Sequence, residues 1–183
     1  MVVVLAHFTS RDIATISICA ALWGVLNPIF SPIFFRMTGL PFLCDTMGFS
    51  LLTLAVWWIR KFGATTIVGF IATIINFMLN PYGTQILGFT AASVVFDVIV
   101  KVIGYDRAFK NPKFITFSMI STSLLSAAVA GLIIGTFFMS GPMVAGWGFV
   151  FTWASLHAVG GVIGGVIGVV VVTTLISRGI KIQ

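Results

Sequence analysis

FLCDTMGFSLLTLAVWWI-RKFG-ATTIVGFIATIINFML-NPYG, residues 42–83, decides the fold. It reads as an apolar run, Phe42–Ile59, broken by Arg60-Lys61, then a second apolar run, Ala64–Leu79, closed by Asn80-Pro81-Tyr82-Gly83. Asp45 is the single charge within the two runs. A helix rises about 1.5 Å per residue, so roughly 20 residues cross the ~30 Å hydrocarbon layer of a bilayer. The first run suffices for a crossing and the second is short for one. Because Pro and Gly stop a helix and reverse the chain, the second run is expected to end below the membrane surface, where such an end is tolerated if it lines a cavity. Two apolar helices joined by a basic pair are the repeating unit of a multi-pass helical membrane protein.

Working outward from this stretch, further runs lie at Ile13–Ile29, Thr84–Val102, Phe114–Met139 and Met143–Ile176, making six in all. The expected fold is an all-α membrane protein, a bundle of six transmembrane helices forming one domain over residues 1–183. The last run is too long for one crossing. Its beginning, Ser140 to Gly148, has loop chemistry, so the sixth helix is placed from near Phe149 and the preceding residues are read as an outer lid or re-entrant turn. Of ten basic residues, Arg11, Arg60, Lys61, Lys101, Arg107, Lys110, Lys113, Arg178 and Lys181 fall at the termini or in even-numbered connections, and Arg36 alone falls in an odd one. Short loops rich in Lys and Arg stay in the cytoplasm, so a multi-pass protein of the cell membrane with both termini cytoplasmic is expected.

Composition points the same way. With 59% apolar and 8% charged residues, the chain has too little polar surface for a water-soluble globule. The net charge of +6 sits beside membrane spans, where it orients helices in the lipid bilayer, so no nucleic-acid partner is expected. Cys19 and Cys44 lack the paired spacing of a zinc site or disulfide framework, and no metal or cofactor is expected. No cationic region precedes the first apolar stretch, so the first span is read as retained rather than as a removable signal.

Polar residues are unevenly placed by depth. Asn27, Asp45, Asn76, Asn80, Tyr82, Gln85 and Trp147 fall at or near the outer face, with Trp153 and His157 somewhat deeper. Polar side chains in hydrocarbon are costly and usually face a protein or water-filled interior, so their convergence suggests a pocket open to the outside. The competing reading makes Asn80, Tyr82, Gln85 and Trp147 interfacial helix ends, and Asn76 or His157 interhelical hydrogen-bonding groups. Asp97 stands four residues before Lys101, a spacing at which the two neutralise each other. That leaves Asp45 as the unpaired outer carboxylate and the counter-charge for a cationic ligand. In the last helix Gly160, Gly164 and Gly168 repeat every four residues with Gly161 and Gly165 alongside, a stripe that lets another backbone approach closely, inside the monomer or on a partner. The first helix has a weaker version in Ser10, Ala14, Ser17, Ala20, Ala21 and Gly24.

Ile59-Arg-Lys-Phe-Gly-Ala64, the apolar helix after it, Asn80-Pro-Tyr-Gly83 with the fourth helix, and the glycine-rich last helix resemble the substrate-binding S components of energy-coupling-factor vitamin transporters. The resemblance spans most of the chain and looks closest to the hydroxymethylpyrimidine/thiamine group. That group's third helix tends to carry glutamates, where this chain has Gly69 and Asn76. The resemblance implies binding without catalysis. A vitamin or vitamin precursor would be held near the outer face by Asp45, Asn76, Asn80, Tyr82, Gln85, Trp147, Trp153 and His157. Trp23, Phe30 and Phe34 are further candidates for stacking, and the Asn27-Pro28 to Pro41 segment would close over the pocket. It also implies three partner subunits, a transmembrane coupling protein and two cytoplasmic ATPases, with Ala14, Ala21 and Gly24 on the docking face. Nothing in the chain is a phosphate-binding loop.

Two other classes stay open. An intramembrane hydrolase would pair His157 with Ser123 or Ser126, although no nucleophile motif accompanies them. A proton-coupled carrier acting alone would use Asp45 or Asp97; no repeat between the chain halves supports it.

Overall fold

The computed structural model describes residues 8–146 and 148–180. They form eight α-helices and a π-helical turn, without a strand among the described residues: α1 (Ser10–Thr38), α2 (Phe42–Ile59), α3 (Ala64–Leu79), α4 (Ile86–Ile103), α5 (Tyr105–Ala108), α6 (Pro112–Ile133) continuing into the π-turn Ile134–Phe138, α7 (Gly141–Gly146) and α8 (Phe149–Ser177). Five helices are long and apolar enough to cross a membrane, α6 counted with its π-turn, and α3 is shorter at 16 residues. The described residues are thus all-α, and most of them belong to helices long and apolar enough to span a membrane. The last long helix begins at Phe149, as its sequence predicts, and residues 141–146 before it are a short helix.

α1 departs most from the sequence reading. A reciprocal cap starts it, with Thr9 N–H donating to Asp12 Oδ2 (2.8 Å) and Asp12 N–H to Thr9 Oγ1 (3.3 Å). It then continues through Pro28 and Pro32 to Gly39, which closes it at φ 74°. The expected span ended at Ile29 and gave the residues up to Pro41 to a covering loop; residues 27–38 are helix instead. Each proline removes one intrahelical donor, which membrane helices tolerate where neighbours cover the freed carbonyl. The connection to α2 shrinks to residues 39–41.

Glycine sets the packing of α8. A Cβ at Gly164 would lie 2.8 Å from the Asp45 carbonyl oxygen and 3.0 Å from that of Thr46, and one at Gly168 would strike Thr53, so this stripe faces α2. A Cβ at Gly161 would meet Ser123 of α6, and one at Gly165 would lie 3.0 Å from Ser123 Oγ, so the second stripe faces α6. Both edges are used inside the monomer, and backbones approach without side chains between them. Gly24 of α1 likewise packs on α3, where a Cβ would lie 2.7 Å from Ile75 Cβ and 2.9 Å from the Ala72 carbonyl oxygen. This removes Gly24 from the expected docking face. Ala14 and Ala21 stay on the exposed side of α1.

Asp97 and Lys101 do not neutralise each other, contrary to their four-residue spacing. Asp97 Oδ2 accepts from Gly63 N–H (2.7 Å), Thr66 N–H (3.3 Å) and Thr66 Oγ1 (2.9 Å), while Lys101 Nζ sits 4.0 Å over the Phe62 ring. α3 has no side-chain cap of its own, and Asp97 supplies one from α4. Nearby, Lys61 Nζ meets Asp12 Oδ2 at 2.6 Å and Arg60 lies 5.2 Å from the Phe109 ring centre. The starts of α1 and α3 and the ends of α2 and α4 therefore share one basic end. The core between the ends is apolar, with Phe49, Leu52, Trp57 and Phe96 buried.

Candidate functional site

At the opposite end the helices part around a cavity of about 310 Å³. Its first wall is the C-terminal stretch of α1. Asn27, Ser31 and Phe35 follow one another at four-residue spacing, as do Pro28, Pro32 and Arg36, so the continued helix presents two adjacent rows to the cavity. Asn76 of α3 and Asn80 at its C-cap, Gln85, Ile86 and Phe89 around the start of α4, and Trp153 and His157 of α8 complete the ring. The π-turn ending α6 contributes Ile134 and Phe138, with Met139 beyond it; such turns recur at functional sites.

A polar chain crosses from α1 to α3: Ser31 Oγ donates to Asn27 Oδ1 (2.8 Å), and Asn27 Nδ2 donates to Asn76 Oδ1 (3.1 Å). Beneath the cavity His157 Nδ1 lies 3.1 and 2.9 Å from the two Asp45 carboxylate oxygens, with the residues 1% and 0% exposed. Asp45 is therefore paired, and the unpaired outer carboxylate expected from the sequence is not present as such. Two glycines make room for the pair. A Cβ at Gly160 would lie 2.8 Å from Asp45 Cβ and Oδ2, and one at Gly131 would lie 2.9 Å from His157 Cβ. The imidazole is flanked edge-on by Trp153 (5.3 Å between ring centres) and Phe89 (6.1 Å). Phe89 is in turn backed by the buried Trp23 at 5.5 Å. His157 Nε2 is buried and has no hydrogen-bond partner.

Of the residues singled out in the sequence, Asn76, Asn80, Gln85, Trp153 and His157 border the cavity, and Asp45 lies behind His157. Tyr82 is 92% exposed and outside the lining. Trp147 lies outside the described residues. Trp23 is core, and Phe30 and Phe34 are not in the lining, whereas Phe35, Phe89 and Phe138 are. Sequence reasoning missed Arg36 and the Pro28/Pro32 row. The signals were there: Arg36 is the lone basic residue in an odd connection, and Asn27, Ser31 and Phe35 keep helical spacing across the prolines.

Cys44, Asp45 and His157 place one ligand atom each within 4.8 Å of one another, a grouping able to hold a metal ion. In the protein these atoms already bond elsewhere, since Cys44 Sγ donates to the Pro41 carbonyl at 3.0 Å and Nδ1 is held by Asp45. Ser123 and Ser126 are buried and do not line the cavity. Neither is a hydrogen-bond partner of His157, so these residues do not form the expected nucleophile–base pair. The arrangement is a small, mostly apolar recess with a few convergent polar groups, the form of a small-molecule binding site. Comparison with protein-family models, characterised proteins and solved structures finds no match.

Proposed function

We propose that this chain is the membrane-embedded binding subunit of an uptake system for a vitamin or vitamin precursor, of the energy-coupling-factor kind, with hydroxymethylpyrimidine and thiamine as first candidates. The observation that carries the reading is the cavity, confined to one end of the bundle and closed below by packed core. Its volume of about 310 Å³ suits a ligand of one or two rings, and its aromatic and proline walls suit a flat one. A pocket with no passage beneath it binds from one side and needs other subunits to move its cargo. In this proposal a transmembrane coupling protein and two cytoplasmic ATPases do so, docking along the exposed side of α1 that carries Ala14 and Ala21.

The test is mass spectrometry of small molecules released from gently purified protein, paired with thermal-shift titration of thiamine, hydroxymethylpyrimidine and other vitamins. A released vitamin that also raises the melting temperature at low concentration is the expected outcome. Absence of both counts against the reading. The buried Asp45–His157 pair is the one feature that favours a proton-coupled carrier instead. Uptake abolished by an uncoupler but independent of ATPase subunits would select that alternative.

A further inference from the structure

The charge of the pocket wall can be counted. Among the described residues, Arg36 is the single Lys or Arg in the lining, and no Asp or Glu lines it. Its side chain is exposed and makes no hydrogen bond or ion pair with the described residues. The nearest carboxylate to the cavity floor, Asp45, is engaged by His157.

His157 borders the cavity, and its Nε2 is buried with no hydrogen-bond partner. Among the described residues the cavity wall therefore offers a guanidinium at its rim and no free carboxylate.

We infer that the ligand is an anion: a flat heteroaromatic whose carboxylate or phosphate is received by Arg36 at the rim of the cavity. This rests on the binding-subunit reading and narrows its candidates, because it ranks an anion such as hydroxymethylpyrimidine phosphate, facing Arg36, above uncharged hydroxymethylpyrimidine and cationic thiamine. Arg presents a planar fork of donors matched to either oxyanion, and such charge-assisted bonds are about twice as strong as neutral ones. A structural role for Arg36 is the competing account, since it lies in the last turn of α1, where the helix dipole favours a cation.

The experiment measures affinities of purified protein for matched pairs differing in charge: pyridine-3-carboxylate and its amide, hydroxymethylpyrimidine phosphate and hydroxymethylpyrimidine, with thiamine as the cation. Wild type, Arg36→Gln and Arg36→Lys are compared, with the ligand-free melting temperature of each. The tightest ligand is expected to be an anion, at least about tenfold tighter than its uncharged partner. Arg36→Gln should erase that ratio and Arg36→Lys retain part of it. Which pair shows the ratio tells carboxylate from phosphate. If thiamine or an uncharged member binds best, the inference falls and the binding-subunit reading stands. It falls equally if Arg36→Gln lowers the ligand-free melting temperature but keeps the ratio. If no member binds, the charge of any molecule released from the purified protein decides, and no released molecule removes both readings together.

Discussion

At position 97 a carboxylate caps a helix other than its own. The two N–H groups it accepts, from Gly63 and Thr66, belong to the N-cap and first turn of α3, where backbone donors have no intrahelical partner. Asp97→Ala leaves them without that acceptor in a buried place and should lower stability by about 1–3 kcal/mol. Ligand affinity should be unchanged, because Asp97 is at the basic end, away from the cavity. Thermal denaturation with and without ligand checks both halves. Gly160→Ala makes the opposite prediction. Its Cβ would press on the Asp45 carboxylate at 2.8 Å, forcing the Asp45–His157 pair to shift, so ligand affinity should fall along with a stability loss of about 1–3 kcal/mol. Equal affinity in Gly160→Ala and wild type would show that the pair does not set the cavity floor.

Among the elements, α8 tests the packing argument most directly. At Gly164 an added methyl meets two carbonyl oxygens of α2 at 2.8 and 3.0 Å, and backbone cannot yield as a flexible side chain can. Gly164→Ala is therefore expected to cost about 1–3 kcal/mol, whereas Val166→Ala, on the exposed side two residues on, should stay within about 0.5 kcal/mol. Urea or thermal melts of the two variants in the same detergent decide it. The glycine stripe and the start of α8 were legible in the sequence because spacing and turn chemistry are local. α1 was not: Pro28 is a stop signal in a soluble helix, and only neighbouring helices reveal that the span continues. Nor was Asp97, since four-residue spacing says what a side chain can reach and not which partner it takes. Asn76, Gln85, Trp153 and His157 were legible as polar or amphipathic groups near one end of their spans. The Asp45–His157 pair was not, because 112 residues separate its members and only tertiary packing brings them together.

The molecule as a whole has two unlike ends. Arg11, Arg60, Lys61, Lys101, Arg107, Lys110 and Lys113 belong to the first, at the starts and ends of helices joined by the Asp12–Lys61 and Gly63–Asp97 contacts. The cavity and Arg36 belong to the second. In the proposed topology the basic first end faces the cytoplasm, following the rule for short connections rich in Lys and Arg, and the cavity faces outward, the sense an uptake protein needs. Single-cysteine labelling tests this, with Cys19 and Cys44 first replaced by Ser. Tyr82→Cys, exposed at the cavity end, should react with a membrane-impermeant maleimide on intact cells. Arg107→Cys, exposed at the basic end, should react only after the membrane is opened. The reverse pattern would place the cavity towards the cytoplasm, where a binding protein for uptake has no cargo to collect. It would leave the fold and the site as described while removing the proposed direction of transport. Restoring Cys44 alone adds a readout of occupancy, because its side chain borders the cavity: a small thiol reagent should modify it in the empty protein, and a bound ligand should slow that reaction.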